Sequence, residues 1–291
     1  MNDKLSLCLK ITNWCNLKCA HCCELSDPKE PKQFMPLDKF ETYIHHFGEI
    51  TLPKTEYYTI GGGEPTAPYL YGDSDYIPRA VSMILDAGAV PTIKTNATWG
   101  KHTDERRTIL KSLAAVAYKY QKLVTLDISL DEFHKNTIGT ANVISDIVKS
   151  DMLRPAIRVF LAGFNTQASL KRLNELQDEL KRRNIHIMSL TDIDRVTEKT
   201  KYDFGALYRG MGNMIFASFE TPIFRDGRAA ITNVATTGPS TGMTSIDGNC
   251  LVVDNNDNAI LNYKFREQIA GRDLNTVVQS LMAKMYQAQG R

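Results

Sequence analysis

No window of the chain approaches the ~18 consecutive apolar residues of a membrane-spanning helix. The first fifteen residues, MNDKLSLCLKITNWC, hold neither the apolar centre of a secretory signal nor an Arg-rich transit pattern. The expected compartment is the cytoplasm, where thiols stay reduced, and no membrane partner is expected. Neither sign of charge is in excess. The formal net charge is +2, so no basic field across the chain points to nucleic acid. One short basic run, KRRNIH (181–186), reads as a solvated face or a helix C-terminus rather than a phosphate site. Internal repeats and low-complexity tails are absent. Cysteine is scarce, with six residues in 291, and a chain of this length buries a core without covalent staples.

Those few cysteines are not scattered. Four of the six fall within WCNLKCAHCC (14–23). Disulfides are disfavoured in a reducing compartment, and the adjacent Cys22 and Cys23 make a poor staple. Cys15, Cys19 and Cys22 have the spacing C-x3-C-x2-C. Three thiolates can hold a [4Fe–4S] cluster and leave one iron without a protein ligand. A structural zinc site wants four ligands, often as two separated pairs, and no second pair exists. Zinc completed by His21 or Cys23 is the second reading, since four ligands within so few residues strain one loop. Cys8, Cys23 and Cys250 are not expected to be ligands.

The surrounding sequence alternates strand-like and helix-like segments. LSLCLKIT (5–12), EYYTIGGGEP (56–65), VPTIKTNAT (90–98), KLVTLDISLD (122–131), AIRVFLAG (156–163) and IHIMSL (185–190) read as six strands. Helical patterns lie between them. In 37–50, Leu37, Phe40, Ile44 and Phe47 recur at helical spacing; 75–88 is stopped by Gly88; 104–120, 140–150 and 169–183 follow. Six βα-type repeats predict a parallel sheet with helical crossovers. Two units are missing for a closed eightfold barrel, so an open partial barrel fits better. Chemistry in such folds sits at the C-terminal ends of the strands, where both the cysteines and the glycine run GGGEP (61–65) fall. Beyond about residue 195 the pattern changes. Stretch 238–250 reads as loops, 251–265 as a hairpin turning at DNNDN, and 273–287 as a helix with Asp273 at its N-cap.

The C-x3-C-x2-C loop after strand one and the Gly-Gly-Glu-Pro turn after strand two together resemble the radical S-adenosylmethionine superfamily, over roughly residues 5 to 190. The resemblance implies an α/β fold, a partial (β/α)6 barrel (1–195) with a C-terminal α+β extension (196–291) that covers the substrate. It implies one [4Fe–4S] cluster on Cys15, Cys19 and Cys22, with S-adenosylmethionine chelated at the open iron. Gly62, Gly63 and Glu64 match the turn that holds the methionyl ammonium. Gly61 stands where the family often has Ser or Thr. His21 stands where an aromatic residue often packs near the adenine. Thr95, Asn96, Ser129 and Asp131 match ligand-facing strand ends, Arg158 a partner for the cofactor carboxylate, and His134 a residue facing substrate or capping a helix.

The implied activity is reductive cleavage of S-adenosylmethionine to a 5′-deoxyadenosyl radical that takes hydrogen from the substrate. A one-electron donor such as flavodoxin or ferredoxin is the implied partner. A single remaining cysteine beyond the loop region, Cys250, implies no auxiliary cluster, and no separate N-terminal peptide-recognition domain is expected. The expected substrate is therefore a small molecule or nucleotide. The alternatives are a peptide- or protein-modifying enzyme, including a glycyl-radical activase, and, in another class, a non-catalytic zinc- or cluster-binding module. In the loop-rich stretch 205–250, Tyr208, Arg209, Arg225 and Arg228 are the candidates to meet an anionic or aromatic substrate.

Overall fold

The computed structural model describes residues 4–164, 166–185, 204–207, 214–221, 249–262, 265–269 and 271–288. Its elements are β1 (Leu5–Lys10), α1 (Leu37–Glu49), β2 (Lys54–Gly61), α2 (Ala67–Leu70), α3 (Tyr76–Asp86), β3 (Val90–Thr95), a 3-10 turn (Thr98–Lys101), α4 (Thr103–Tyr120), β4 (Val124–Ser129), α5 (Thr137–Lys149), β5 (Ile157–Phe164), α6 (Gln167–Arg182), β6 (Phe204–Leu207), β7 (Met214–Thr221), β8 (Asn249–Asp254), β9 (Asn258–Leu261), β10 (Phe265–Gln268) and α7 (Leu274–Ala288). The α/β class with parallel strands is as the sequence predicts. No helix among the described residues is long and apolar enough to cross a membrane.

The chain divides into two units, one of residues 1–92 with 224–291, the other of residues 93–223. In the first, the strand order is β10-β9-β8-β1-β2. Strand β1 pairs in parallel with both β2 and β8, and β8, β9 and β10 form an antiparallel meander. Leu5, Leu7 and Leu9 alternate along β1 and are fully buried, as are Phe40 and Phe47 at i and i+7 on α1. Gly88 ends α3 as expected. At φ +78° it lets its own N–H reach the Leu85 carbonyl and that of Ala89 reach Ile84. The predicted hairpin is β8–β9, and Asp273 caps α7 by accepting from the Thr276 N–H at 2.8 Å.

In the second unit the order is β4-β5-β7-β6, with β5 parallel to both β4 and β7. Strand β4 is buried on both faces, with Val124, Leu126 and Ile128 in the core, and alternation along β5 buries Ile157, Val159 and Leu161. Helix α5 starts at Thr137, a turn earlier than its apolar pattern, and α6 is capped by Thr166 Oγ1 accepting from Ser169 N–H. Ile185 closes α6 by donating its N–H to Leu180, with Asn184 at φ +59°. The rest of the expected strand 185–190 lies outside the described residues, as do the expected boundary near 195 and Tyr208, Arg209, Arg225 and Arg228. The place beside β5 is taken by β7. Of the stretch read as loop, 238–250, its last two residues are strand: Asn249 and Cys250 open β8 against β1.

Candidate active site: the cysteine loop and the glycine turn

Strand β1 runs directly into the cysteine loop, and β2 directly into the glycine turn. Because the two strands are parallel neighbours with Lys10 opposite Gly61, both connections leave the same end of the sheet side by side. The turn then grips the root of the loop. Glu64 N–H donates to the Trp14 carbonyl at 2.9 Å, and Gly63 N–H donates to Ser26 Oγ at 3.2 Å. The approach is so close that a Cβ on Gly63 would lie 1.8 Å from the Trp14 oxygen. On Gly62 it would lie 2.4 Å from Lys10 Cγ and 2.6 Å from the Thr12 oxygen. The glycines serve contact as well as conformation, Gly62 having φ +82°.

Within the loop, Cys15 N–H donates to the Asp27 carbonyl, and Leu17 N–H to Cys15 Sγ at 3.4 Å. Cys22 N–H donates to the Cys19 carbonyl, a tight turn that brings the last two cysteines together. Glu64 is completely buried, and one of its oxygens accepts from both the N–H and the hydroxyl of Thr66. Burial pushes the Cys15 thiol up to about 12, and the negative charges of Glu64, Cys19 and Cys22 push the same way against the Leu17 N–H. The Glu64–Trp14 bond sets the carboxylate's residue next to Cys15, and their like charges repel. A positively charged metal centre on the thiolates and a cation on the carboxylate are what relieve it. In donor chemistry, three thiols and a buried carboxylate are what an iron–sulfur cluster and an ammonium-bearing ligand would take.

Two further contacts hold the loop and were not foreseen. Lys10, buried, donates from Nζ to the Glu24 carbonyl at 3.2 Å and pairs with the Glu24 carboxylate at 3.4 Å. This fastens the far end of the loop to β1. The signal was a lysine at the end of a strand whose other residues are uncharged, on the face it shares with Ser6 and Cys8. Cys8 explains Gly61: a Cβ at position 61 would lie 2.9 Å from Cys8 Sγ, so the thiol fills the room that a side chain there would need. Cys8 packs with Val252 and Ile260, and Cys250 against them. None of the six cysteines forms a disulfide. His21 is half-buried between the second and third cysteines.

The other predicted residues belong to the second unit, and Thr95, Asn96 and Asp131 each have a local task, whereas Arg158 is the second residue of β5, at the opposite end from Ser129 at the close of β4. Thr95 Oγ1 accepts from the Ala97 N–H and the Trp99 indole N–H, both at 3.0 Å. Asn96 Oδ1 accepts from the Thr98 N–H and hydroxyl. Asp131, buried, accepts from the N–H groups of Phe133 and His134, and its carboxylate lies 2.9 Å from His134 Nδ1. Ser129 ends β4 opposite Ala162, and Arg158 on β5 lies opposite Thr125.

No family model matches the chain, and no curated protein matches it in sequence. Among solved structures, SuiB of Streptococcus suis, bound to S-adenosylmethionine, matches 95% of this chain with a TM-score of 0.52 at 15% identity. The chain spans 65% of that protein's length. The enzyme anSMEcpe with bound S-adenosylmethionine matches over 93% of this chain and 79% of its own, with a TM-score of 0.43 and 15% identity. Methylornithine synthase (PylB) matches over 61% and 51%, with a TM-score of 0.40 and 10% identity. The likeness to SuiB is one of fold: this chain has the fold of a radical S-adenosylmethionine enzyme.

Proposed function

We propose that the chain is a radical S-adenosylmethionine enzyme, with one [4Fe–4S] cluster on Cys15, Cys19 and Cys22 and S-adenosylmethionine beside it. The observation that supports this reading is that parallel β1 and β2 lead the cysteine loop and the glycine turn off the same end of the sheet, with the turn fastened to the loop by the Glu64–Trp14 bond. When bound, the cluster supplies the electron that cleaves S-adenosylmethionine to methionine and a 5′-deoxyadenosyl radical, which takes hydrogen from the substrate.

The chain's own residues bind and orient. Glu64, held by Thr66, accepts a charge-assisted hydrogen bond from the methionyl ammonium. Gly62 and Gly63 let the backbone approach without a side chain intervening. Thr95, Asn96, Ser129, Asp131, Arg158 and His21 are proposed as further cofactor contacts. The hydrogen donor is assigned, on the sequence reading, to a small molecule or nucleotide, with a peptide as the alternative. The electron donor is a flavodoxin or ferredoxin.

The test is anaerobic reconstitution with iron and sulfide, followed by assay of 5′-deoxyadenosine with dithionite as reductant. The expected outcome is about four irons per chain and 5′-deoxyadenosine formation, both lost in Cys15→Ala, Cys19→Ala and Cys22→Ala and retained in Cys23→Ala. Full iron retention in Cys19→Ala, or zinc as the sole metal in an anaerobic preparation, would refute the reading.

A further inference from the structure

The C-terminal end of α1 carries a group of side chains that the proposed chemistry does not use. His45, His46 and Glu49 offer two imidazole nitrogens and a carboxylate oxygen, and these atoms lie within 4.8 Å of one another. All three residues fall within about 100° of the helix surface. His45 and Glu49 are one turn apart, and His45 Nδ1 lies 3.4 Å from Glu49 Oε1. That separation is long for a hydrogen bond to a carboxylate. It matches the edge of a tetrahedral metal site, where bonds of about 2.1 Å set neighbouring donors about 3.4 Å apart. The His46 ring stands beside them, its centroid 6.2 Å from that of His45.

The surroundings suit a cation. Glu41, exposed, lies one turn before His45 on the same stripe and adds a second negative charge. The negative end of the helix dipole falls at this turn as well. On the flank of His45 away from His46 is Gly48, where a Cβ would meet nothing within 4 Å. Neither crowding nor a left-handed backbone calls for glycine there, and glycine weakens a helix relative to alanine. Its missing side chain leaves that flank open to water. Lys54 Nζ donates to the carbonyls of Gly48 and Ile50, so the backbone oxygens at the helix end have a partner and the donors to an ion are the three side chains.

We propose that His45, His46 and Glu49 bind a borderline divalent metal ion, zinc above the others, with water completing its coordination. Two imidazoles select such an ion over calcium or magnesium, which take oxygen ligands. Three protein ligands with water in the fourth place are a coordination that zinc adopts. Side-chain rotation alone closes the site, because all three donors stand on one helix. The bound ion ties the last turn of α1 across positions i and i+4. None of its donors is sulfur, so the site stands whatever the cysteine loop holds.

The test is anaerobic calorimetry of zinc chloride into the reconstituted full chain, in a non-chelating buffer, for wild type, His45→Ala and Glu49→Gln. Both changes fall on exposed side chains, so the fold is kept. Wild type is expected to bind about one zinc ion per chain that either variant binds about tenfold more weakly or not at all. Zinc should raise the melting temperature of wild type and leave that of both variants unchanged. Cadmium-113 resonance then identifies the donors: a signal in the nitrogen–oxygen range is expected in wild type and should vanish in His45→Ala. Zinc counts and dissociation constants equal across the three proteins would overturn the site, as would a cadmium signal confined to the thiolate range.

Discussion

Replacing Gly62 by alanine tests whether the glycine turn is a clamp or only a turn, and Gly88 supplies the control. The two glycines have nearly the same φ, +82° and +78°, and both belong to the first unit. Alanine therefore incurs the same left-handed penalty at each, roughly 1–2 kcal/mol. Their surroundings differ. Nothing lies within 4 Å of a Cβ at position 88, whereas at position 62 it would lie 2.4 Å from Lys10 Cγ and 2.6 Å from the backbone oxygen of buried Thr12. Ordinary contact needs 3.4 Å or more, so about 1 Å of movement is forced on β1 where it enters the cysteine loop. Overpacking of that kind adds about 1–3 kcal/mol.

The expected loss is thus about 1–2 kcal/mol for Gly88→Ala and about 2–5 kcal/mol for Gly62→Ala. In urea denaturation with a slope near 3 kcal/mol/M, the gap between the two is roughly 0.3–1 M in midpoint. Iron bound after reconstitution should fall in Gly62→Ala and stay at the wild-type level in Gly88→Ala. Equal midpoint shifts, or full iron in both, would refute the clamp.

Glu64→Gln keeps the shape and removes the charge. It should leave iron content intact and weaken S-adenosylmethionine by about 10- to 100-fold, the ~1.5–3 kcal/mol of a charge-assisted bond, and an unchanged dissociation constant in calorimetry would contradict the assignment. Gly61→Ser should destabilise, because its side chain meets Cys8 Sγ, and Cys8→Ala in the same chain should restore the melting temperature; a failure of the second change to rescue the first would show that another neighbour is responsible. Glu267 is held down at about 2 by Lys284 and Ser280, with Arg272 also donating. A carboxylate with a lowered value contributes stability that is full above its unfolded value and is lost as pH falls through the folded one. Acid melting of wild type should therefore steepen between about pH 4.5 and pH 2, and that increment should be missing from Glu267→Gln.

The order of the elements and the class of the fold were legible because they rest on local signals. Period-two alternation puts Leu5, Leu7 and Leu9 on one face of β1. Helical spacing marks Phe40, Ile44 and Phe47, and Gly88 and Asp273 end and begin helices through bonds that span a few residues. The spacing of Cys15, Cys19 and Cys22 likewise lies within one loop.

What the sequence could not show depends on partners distant along the chain. That β8 returns from residue 249 to pair in parallel with β1, and that β7 takes the place beside β5, follows from which strand edges remain open once the earlier strands have paired. Nor does any local pattern reveal that Gly63 must be glycine because of Trp14, or that Gly61 is glycine because Cys8 fills its space. Each of those constraints is an excluded volume between two segments, and it exists only once parallel pairing of β1 with β2 has brought the segments into contact. Spacing along the chain determined which groups were available for chemistry, and tertiary packing decided how closely the glycine turn holds the loop that carries them.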